Sequence, residues 1–217
     1  MRRFRIPLFL AFAVWACASL FLTSCNGSDA DRPVFRDFSD VGACRLPGST
    51  VYDARTRVYT LTGAGSNMWN GQDAFHFAWT EVEGDFTLSA AVEFVGEGIN
   101  PHRKMGLIVR QSLDPGSRYA DAAVHGDGLT SLQYREVTDG PTAEAVSPKS
   151  SSNRLVLERQ GDRILIRTSN YATPAGVDAE IRMPLPRRCY VGLFVCSHED
   201  EALETALFSD VVLHVKK

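Results

Sequence analysis

Downstream of residue 50, apolar positions recur mainly at every second residue, in short runs broken by Gly, Pro, Asn and Asp, while sustained 3.6-residue periodicity is almost absent. A period of two belongs to a strand with one face buried, so the pattern predicts an all-β chain. The clearest run places Phe86, Leu88, Ala90, Val92 and Phe94 on one side and Thr87, Ser89, Ala91 and Glu93 on the other. Gly84-Asp85 turns the chain into it, and Gly96 and Gly98 turn it out. Further strands are predicted over 51–60, 74–80, 104–111, 119–125, 130–136, 153–160, 163–169, 189–197 and 205–215, with a hairpin turn at Gln160-Gly161-Asp162. Residues 141–152, rich in Ser, Pro and Ala, read as a loop. Strands at this density, with no repeat of 20 to 50 residues, predict a two-sheet antiparallel sandwich and argue against a propeller or solenoid.

The informative positions are polar ones that recur on the face away from the core. In 104–110, Met105, Leu107 and Val109 point inward, and Lys104, Gly106, Ile108 and Arg110 outward. Ala122 and Val124 oppose Asp121, Ala123 and His125; Leu132 and Tyr134 oppose Ser131, Gln133 and Arg135. If the three strands are neighbours, Lys104, Arg110, Asp121, His125, Gln133 and Arg135 share one surface, with floor space over Gly106 and Ala123. Converging long polar groups around small residues suit a hydroxyl-rich ligand, although a solvated outer face is the plain alternative. Phe75, Phe77 and Trp79 share parity and are expected in the core. Trp69, within the turn-rich 65–71 segment, is the candidate for an exposed stacking platform. His102-Arg103-Lys104 is a basic cluster at a strand entrance, suited to a rim that catches carboxylated sugars.

The N-terminus is different in kind. Arg2, Arg3 and Arg5 precede an apolar run over 6–22, which ends in Leu22-Thr23-Ser24-Cys25. A positive n-region, an apolar stretch of this length and a Leu-small-Cys ending resemble a bacterial lipoprotein signal. The expected organisation is a signal peptide over 1–24, a lipid-carrying Cys25 with a flexible tether over 25–40, and one domain over 41–217. This predicts a cell-envelope location, lipid-anchored and facing the periplasm or cell surface from the outer membrane.

Beyond the first 24 residues there are 20 basic and 26 acidic residues, a net charge of −6, which argues against nucleic acid as a partner. Cys189 and Cys196 lie seven positions apart on one predicted strand, about 23 Å, and cannot reach the ~7 Å of a disulfide. A partner for Cys44 is left open. His76, His102, His125, His198 and His214 show no metal-binding spacing, and no phosphate loop or serine elbow occurs, so no metal or cofactor is expected beyond a structural calcium held by Asp127 and backbone carbonyls. Glycoside hydrolysis would need two carboxylates in one cleft, of which Asp121, Glu93 and Asp127 are the candidates.

Four segments, Trp69-Asn70-Gly71-Gln72-Asp73-Ala74-Phe75-His76-Phe77, Val82-Glu83-Gly84-Asp85-Phe86, Gly106-Leu107-Ile108-Val109-Arg110-Gln111-Ser112 and Tyr190-Val191-Gly192-Leu193-Phe194, resemble an uncharacterised concanavalin A-like sandwich family. It is related to the C-terminal domain of β-xylosidases. Asn100-Pro101-His102-Arg103-Lys104 and the 121–133 segment are similar to a Bacteroidetes version sometimes fused to TolB-like propellers. The resemblance spans 63–215 and implies a jelly-roll pair of curved sheets that associates with oligosaccharide or polysaccharide without supplying the catalytic acid and base. The expectation is therefore a non-catalytic carbohydrate site built from Trp69, Lys104, Arg110, Asp121, His125, Gln133 and Arg135. The alternatives are an enzyme acting on sugars, with Asp121 orienting His125 as a base, and a module that docks an envelope protein.

Overall fold

A computed structural model describes residues 32–216, so the expected signal segment, the expected lipidation residue Cys25 and residues 26–31 of the expected tether lie outside the described residues. The fourteen strands, in chain order, are β1 (Asp37–Val41), β2 (Ser49–Asp53), β3 (Val58–Gly65), β4 (Phe75–Glu83), β5 (Phe86–Phe94), β6 (Lys104–Arg110) and β7 (Tyr119–His125). They continue with β8 (Thr130–Arg135), β9 (Ala143–Val146), β10 (Arg154–Gln160), β11 (Arg163–Ser169), β12 (Ala179–Arg182), β13 (Arg188–Cys196) and β14 (Glu199–Val215). Two seven-stranded antiparallel sheets form, ordered β1-β4-β13-β6-β7-β8-β9 and β12-β11-β10-β5-β14-β3-β2. The expected all-β sandwich is present. No helix among the described residues is long and apolar enough to cross a membrane.

The alternating faces read from the sequence meet between the sheets. Leu88, Ala90 and Val92 of β5 pack with Met105, Leu107 and Val109 of β6, Ala122 and Val124 of β7, and Val191, Leu193 and Val195 of β13. At about 25 cal/mol per Å² of buried apolar surface, this layer is the main stabilising contribution of the fold.

The structure differs from the sequence reading in four places. The run at 51–60 is two strands, because Asp53 accepts from the Arg55 and Arg57 backbone amides at 2.8 and 2.7 Å and reverses the chain, with Arg57 in the left-handed region. The sandwich also begins before residue 41: Phe35 is buried against Tyr59, and β1 pairs with β4 from Asp37↔Trp79 to Val41↔Phe75. Residues 141–152 contain β9, an edge strand on β8. Finally, Phe75 and Phe77 are buried as expected, but on the far side of the first sheet. There they join Val41, Met68, Ile108, Tyr119, Ala123, Phe194 and Cys196 in a second apolar cluster. Strands β6 and β7 are therefore buried on both faces.

Cys44, Cys189 and Cys196 carry free thiols, and burial pushes Cys196 up to about 11.

Candidate functional site

Strands β6, β7 and β8 are adjacent and in register, with Lys104 opposite His125, Gly106 opposite Ala123, Ile108 opposite Asp121, and Asp121 opposite Gln133. Strand parity then puts Lys104, Arg110, Asp121, His125, Gln133 and Arg135 on one outer face. That face is not open along its length. The segment 66–73 folds over it and divides it into a closed half and a cleft.

In the closed half Asp73 sits between two arginines. Arg110 Nη1 donates to Asp73 Oδ2 at 2.7 Å, while Arg135 donates from Nη1 to Oδ2 at 2.8 Å and from Nη2 to Oδ1 at 2.6 Å. Both guanidiniums are fully buried, and their remaining donors go to backbone carbonyls: Asp114 and Ser112 for Arg110, and Gly140, Ser117, Pro115 and Asn70 for Arg135. Arg110 and Arg135, expected to contact a ligand, instead hold the cover in place. A buried carboxylate is the natural partner for two buried guanidiniums, since an isolated ion in a low-dielectric interior is strongly disfavoured.

The cover is fastened largely through its backbone. Met68 O accepts from the Tyr119 and Thr142 hydroxyls at 2.7 and 3.1 Å, Trp69 O accepts from the Thr142 amide at 3.0 Å, and Asn67 O accepts from the Ala74 amide at 2.8 Å. The Trp69 side chain is left 39% exposed at the edge of the open half.

That open half is a cleft of about 320 Å³ lined by Asn67, Trp69, His102, Lys104, His125, Leu129, Gln133, Glu144 and His198. Four residues expected at the site, Trp69, Lys104, His125 and Gln133, come together here. A polar relay crosses it: Lys104 Nζ donates to Gln133 Oε1 at 3.4 Å, Gln133 Nε2 donates to His125 Nε2 at 3.3 Å, and His125 Nδ1 donates to Leu129 O at 3.1 Å. The Leu129 carbonyl thus fixes the tautomer, leaving Nε2 as the acceptor. Burial, followed by the nearby Lys104 charge, pulls the His125 pKa down to about 4. The same two causes lower His198, whose ring lies 5.5 Å from that of His102.

Asp121 is on this face but fully buried, and does not line the cleft. Its Oδ1 accepts from the Gln133 amide at 3.3 Å and its Oδ2 has no partner. Burial holds its carboxyl well above the ordinary range, against the opposing Lys104 charge. The expected Asp121–His125 pair is not formed: the two stand four positions apart on β7, about 13 Å along the strand, and the Leu129 carbonyl takes the His125 Nδ1 hydrogen bond instead.

Other expected features are dispersed. Arg103 leaves the basic cluster at 102–104 to pair with the buried Glu204 at 2.7 Å and to stack on Phe94, so His102 and Lys104 alone reach the cleft. A Cβ on Gly106 would stand 2.0 Å from Ala122 O and 3.0 Å from the Phe194 ring, so this glycine admits a neighbouring backbone and an aromatic ring, and the floor is filled. Glu93 belongs to the other sheet and lines, with Asp127, Asn153, Arg154 and Tyr171, a larger open groove of about 730 Å³ that touches the cleft at His125. The cleft is the better-organised site, because Lys104, His125 and Gln133 are buried there and held by one another whereas the groove draws on exposed loop residues. Asp127 Oδ1 accepts from the Leu129 amide at 3.0 Å, closing a local turn. Among the described residues no three His, Cys, Asp or Glu side chains are grouped as a metal would require.

Sequence reasoning did not assign Asn67, Glu144 and His198 to the site, nor Asp73 to its cover. Glu144 sits on the four-residue β9, too short to show a period, and His198 is carried in by the β13–β14 hairpin with its backbone in the left-handed region at φ 59°. Asp73 stands between a turn and a strand, with no local pattern pointing to two arginines 37 and 62 positions away.

No protein-family model and no curated protein matches the chain. Solved structures do match its architecture. A functionally unknown protein from Saccharomyces cerevisiae has 18% identity and a TM-score of 0.61, over 80% of this chain and 95% of that one. Carbohydrate-binding module CBM66 from Bacillus subtilis has 16% identity and a TM-score of 0.52, over 83% and 97%. A family 7 alginate lyase solved with product has 7% identity and a TM-score of 0.53, over 77% and 83%. These likenesses define the class of the fold, a concanavalin A-like sandwich of jelly-roll type. Identities this low carry the fold alone.

Proposed function

We propose that this protein is a cell-envelope lipoprotein, anchored through Cys25, whose sandwich binds oligosaccharide or polysaccharide non-catalytically in the Trp69 cleft. One observation carries the reading: a partly exposed indole stands beside buried, mutually oriented polar side chains, Lys104, Gln133 and His125. An aromatic face offers a pyranose ring an apolar surface, while ammonium, amide and imidazole groups serve its hydroxyls. The fold shared with a carbohydrate-binding module and an alginate lyase supports the same reading. A binding role suits the geometry better than catalysis, since His125 Nε2 is taken up by Gln133 and the Asp121 carboxyl is fully buried under what covers the outer face.

The test is a glycan-array screen of the full chain beside W69A. The backbone of Trp69 is what fastens the cover, so W69A is expected to keep its circular dichroism spectrum while losing about tenfold or more in affinity for any glycan the parent binds, in line with removal of a buried aromatic contact. Unchanged glycan binding by a folded W69A refutes this assignment.

A further inference from the structure

Lys104 is only 2% exposed, and a buried ammonium normally faces a carboxylate. Here it does not. Its one hydrogen bond is the long contact to the neutral amide of Gln133, and among the described residues no carboxylate oxygen comes within 4.0 Å of Nζ. The other basic residues on or beside this face each have a carboxylate partner, Arg103 in Glu204 and Arg110 and Arg135 in the Asp73 they share.

The groups facing Lys104 do not supply the missing charge. Asp121 makes no ion pair with Lys104: its Oδ2 has no partner, and burial raises its carboxyl well above the ordinary range. Glu144 lines the cleft from the edge strand β9, where it is exposed to water and not paired with Lys104. His125 and His198 supply no negative charge, and burial, followed by the Lys104 charge, favours their neutral forms. An ammonium has three donors, so two remain for a ligand.

We propose that the cleft takes a saccharide bearing an anionic substituent, a carboxylate or a sulfate ester, seated against Lys104 while its ring lies on Trp69. The inference rests on the carbohydrate reading above and adds its ligand class. One buried cation matches one anionic group, and the surrounding imidazoles and the Gln133 amide complete a polar collar around it.

Isothermal titration of the full chain at pH 7 tests this with matched tetrasaccharides in four forms: neutral hexose, the corresponding uronate, the methyl ester of that uronate, and the sulfated hexose. The expected result is binding of the uronate or the sulfated form at least tenfold tighter than of the neutral sugar, with the methyl ester falling back to the neutral value. The two anionic arms identify the substituent. In K104M the ratio of anionic to neutral affinity should collapse to about one, from about 10- to 100-fold, the worth of a charge-assisted hydrogen bond. Equal affinity for uronate, sulfated sugar and methyl ester overturns the inference while leaving the carbohydrate reading intact, and absence of binding by all four forms overturns both. The ester comparison needs no protein variant, so it decides the matter even if K104M fails to fold.

Discussion

Replacement of Asp73 by Ala probes the cover of the outer face most directly. The substitution removes three charge-assisted hydrogen bonds, to Arg110 at 2.7 Å and to Arg135 at 2.8 and 2.6 Å, and strands two guanidiniums that have no exposure to water. At about 1.5–3 kcal/mol each, the bonds alone set a ceiling of roughly 4.5–9 kcal/mol. The stranded groups keep several carbonyl acceptors, Asp114 O at 2.7 Å and Gly140 O at 2.9 Å among them, which cushion the loss. The expected cost is therefore that of breaking a buried pair by removing one partner, about 3–5 kcal/mol. For a domain of this size that lowers the melting temperature by roughly 6–20 °C. Urea unfolding followed by circular dichroism measures it as a lower midpoint at unchanged slope. D73A/R110M should be less destabilised than the two single variants summed, by about 0.5–3 kcal/mol, because one of the stranded charges is gone. A loss below about 1 kcal/mol in D73A would refute the reasoning, since the carbonyls would then suffice to hold both arginines.

Three further outcomes are expected. The His125 imidazole should titrate near pH 4 by NMR; the unfolded ring takes up its proton first, at 6.5, so the stability this group contributes is lost as pH falls from 6.5 towards 4, and H125N should lack that component. A folded-state midpoint near 6.5 contradicts the burial argument. Glu158, although burial opposes its ionisation, is lowered from 4.5 to about 2 by Gln160, Arg167 and Lys216, so its contribution is present above pH 4.5 and disappears as pH falls towards 2; E158Q should show a flatter acid unfolding profile below pH 4.5. G106A should cost about 3 kcal/mol or more in urea unfolding, as expected of a Cβ driven against a neighbouring carbonyl, and a near-neutral result would mean that β6 and β7 can separate without penalty.

The strands were legible where one face is apolar and the other polar. Phe86 to Phe94 has the boundaries and burial read from it, because its outward side meets solvent or half-buried neighbours. The same rule placed Lys104, His125 and Gln133 on one face, since parity survives whatever packs above. It carried no information about what covers that face. Asp73 is joined to Arg110 and Arg135 only by tertiary structure, so the arginines that looked most available for a ligand are the least available. The second apolar cluster was hidden for a related reason: Phe75 and Phe77 were expected in a core, and local sequence does not say which side of a sheet that core is on.

The segment bearing Trp69 is fastened by the carbonyls of Asn67, Met68, Trp69 and Asn70, to which Ala74, Tyr119, Thr142 and Arg135 donate. A peptide carbonyl is the same whatever side chain it carries. The residue at position 69 can therefore drift under selection, or be randomised in a library, with little penalty to the scaffold, while Asn67, whose Oδ1 accepts from the Trp69 backbone amide, and Asp73, Tyr119 and Arg135 cannot. The fold thus separates the side chain at the lip of the cleft from those that determine whether the protein folds, so the lip can be remodelled at position 69 without loss of the scaffold.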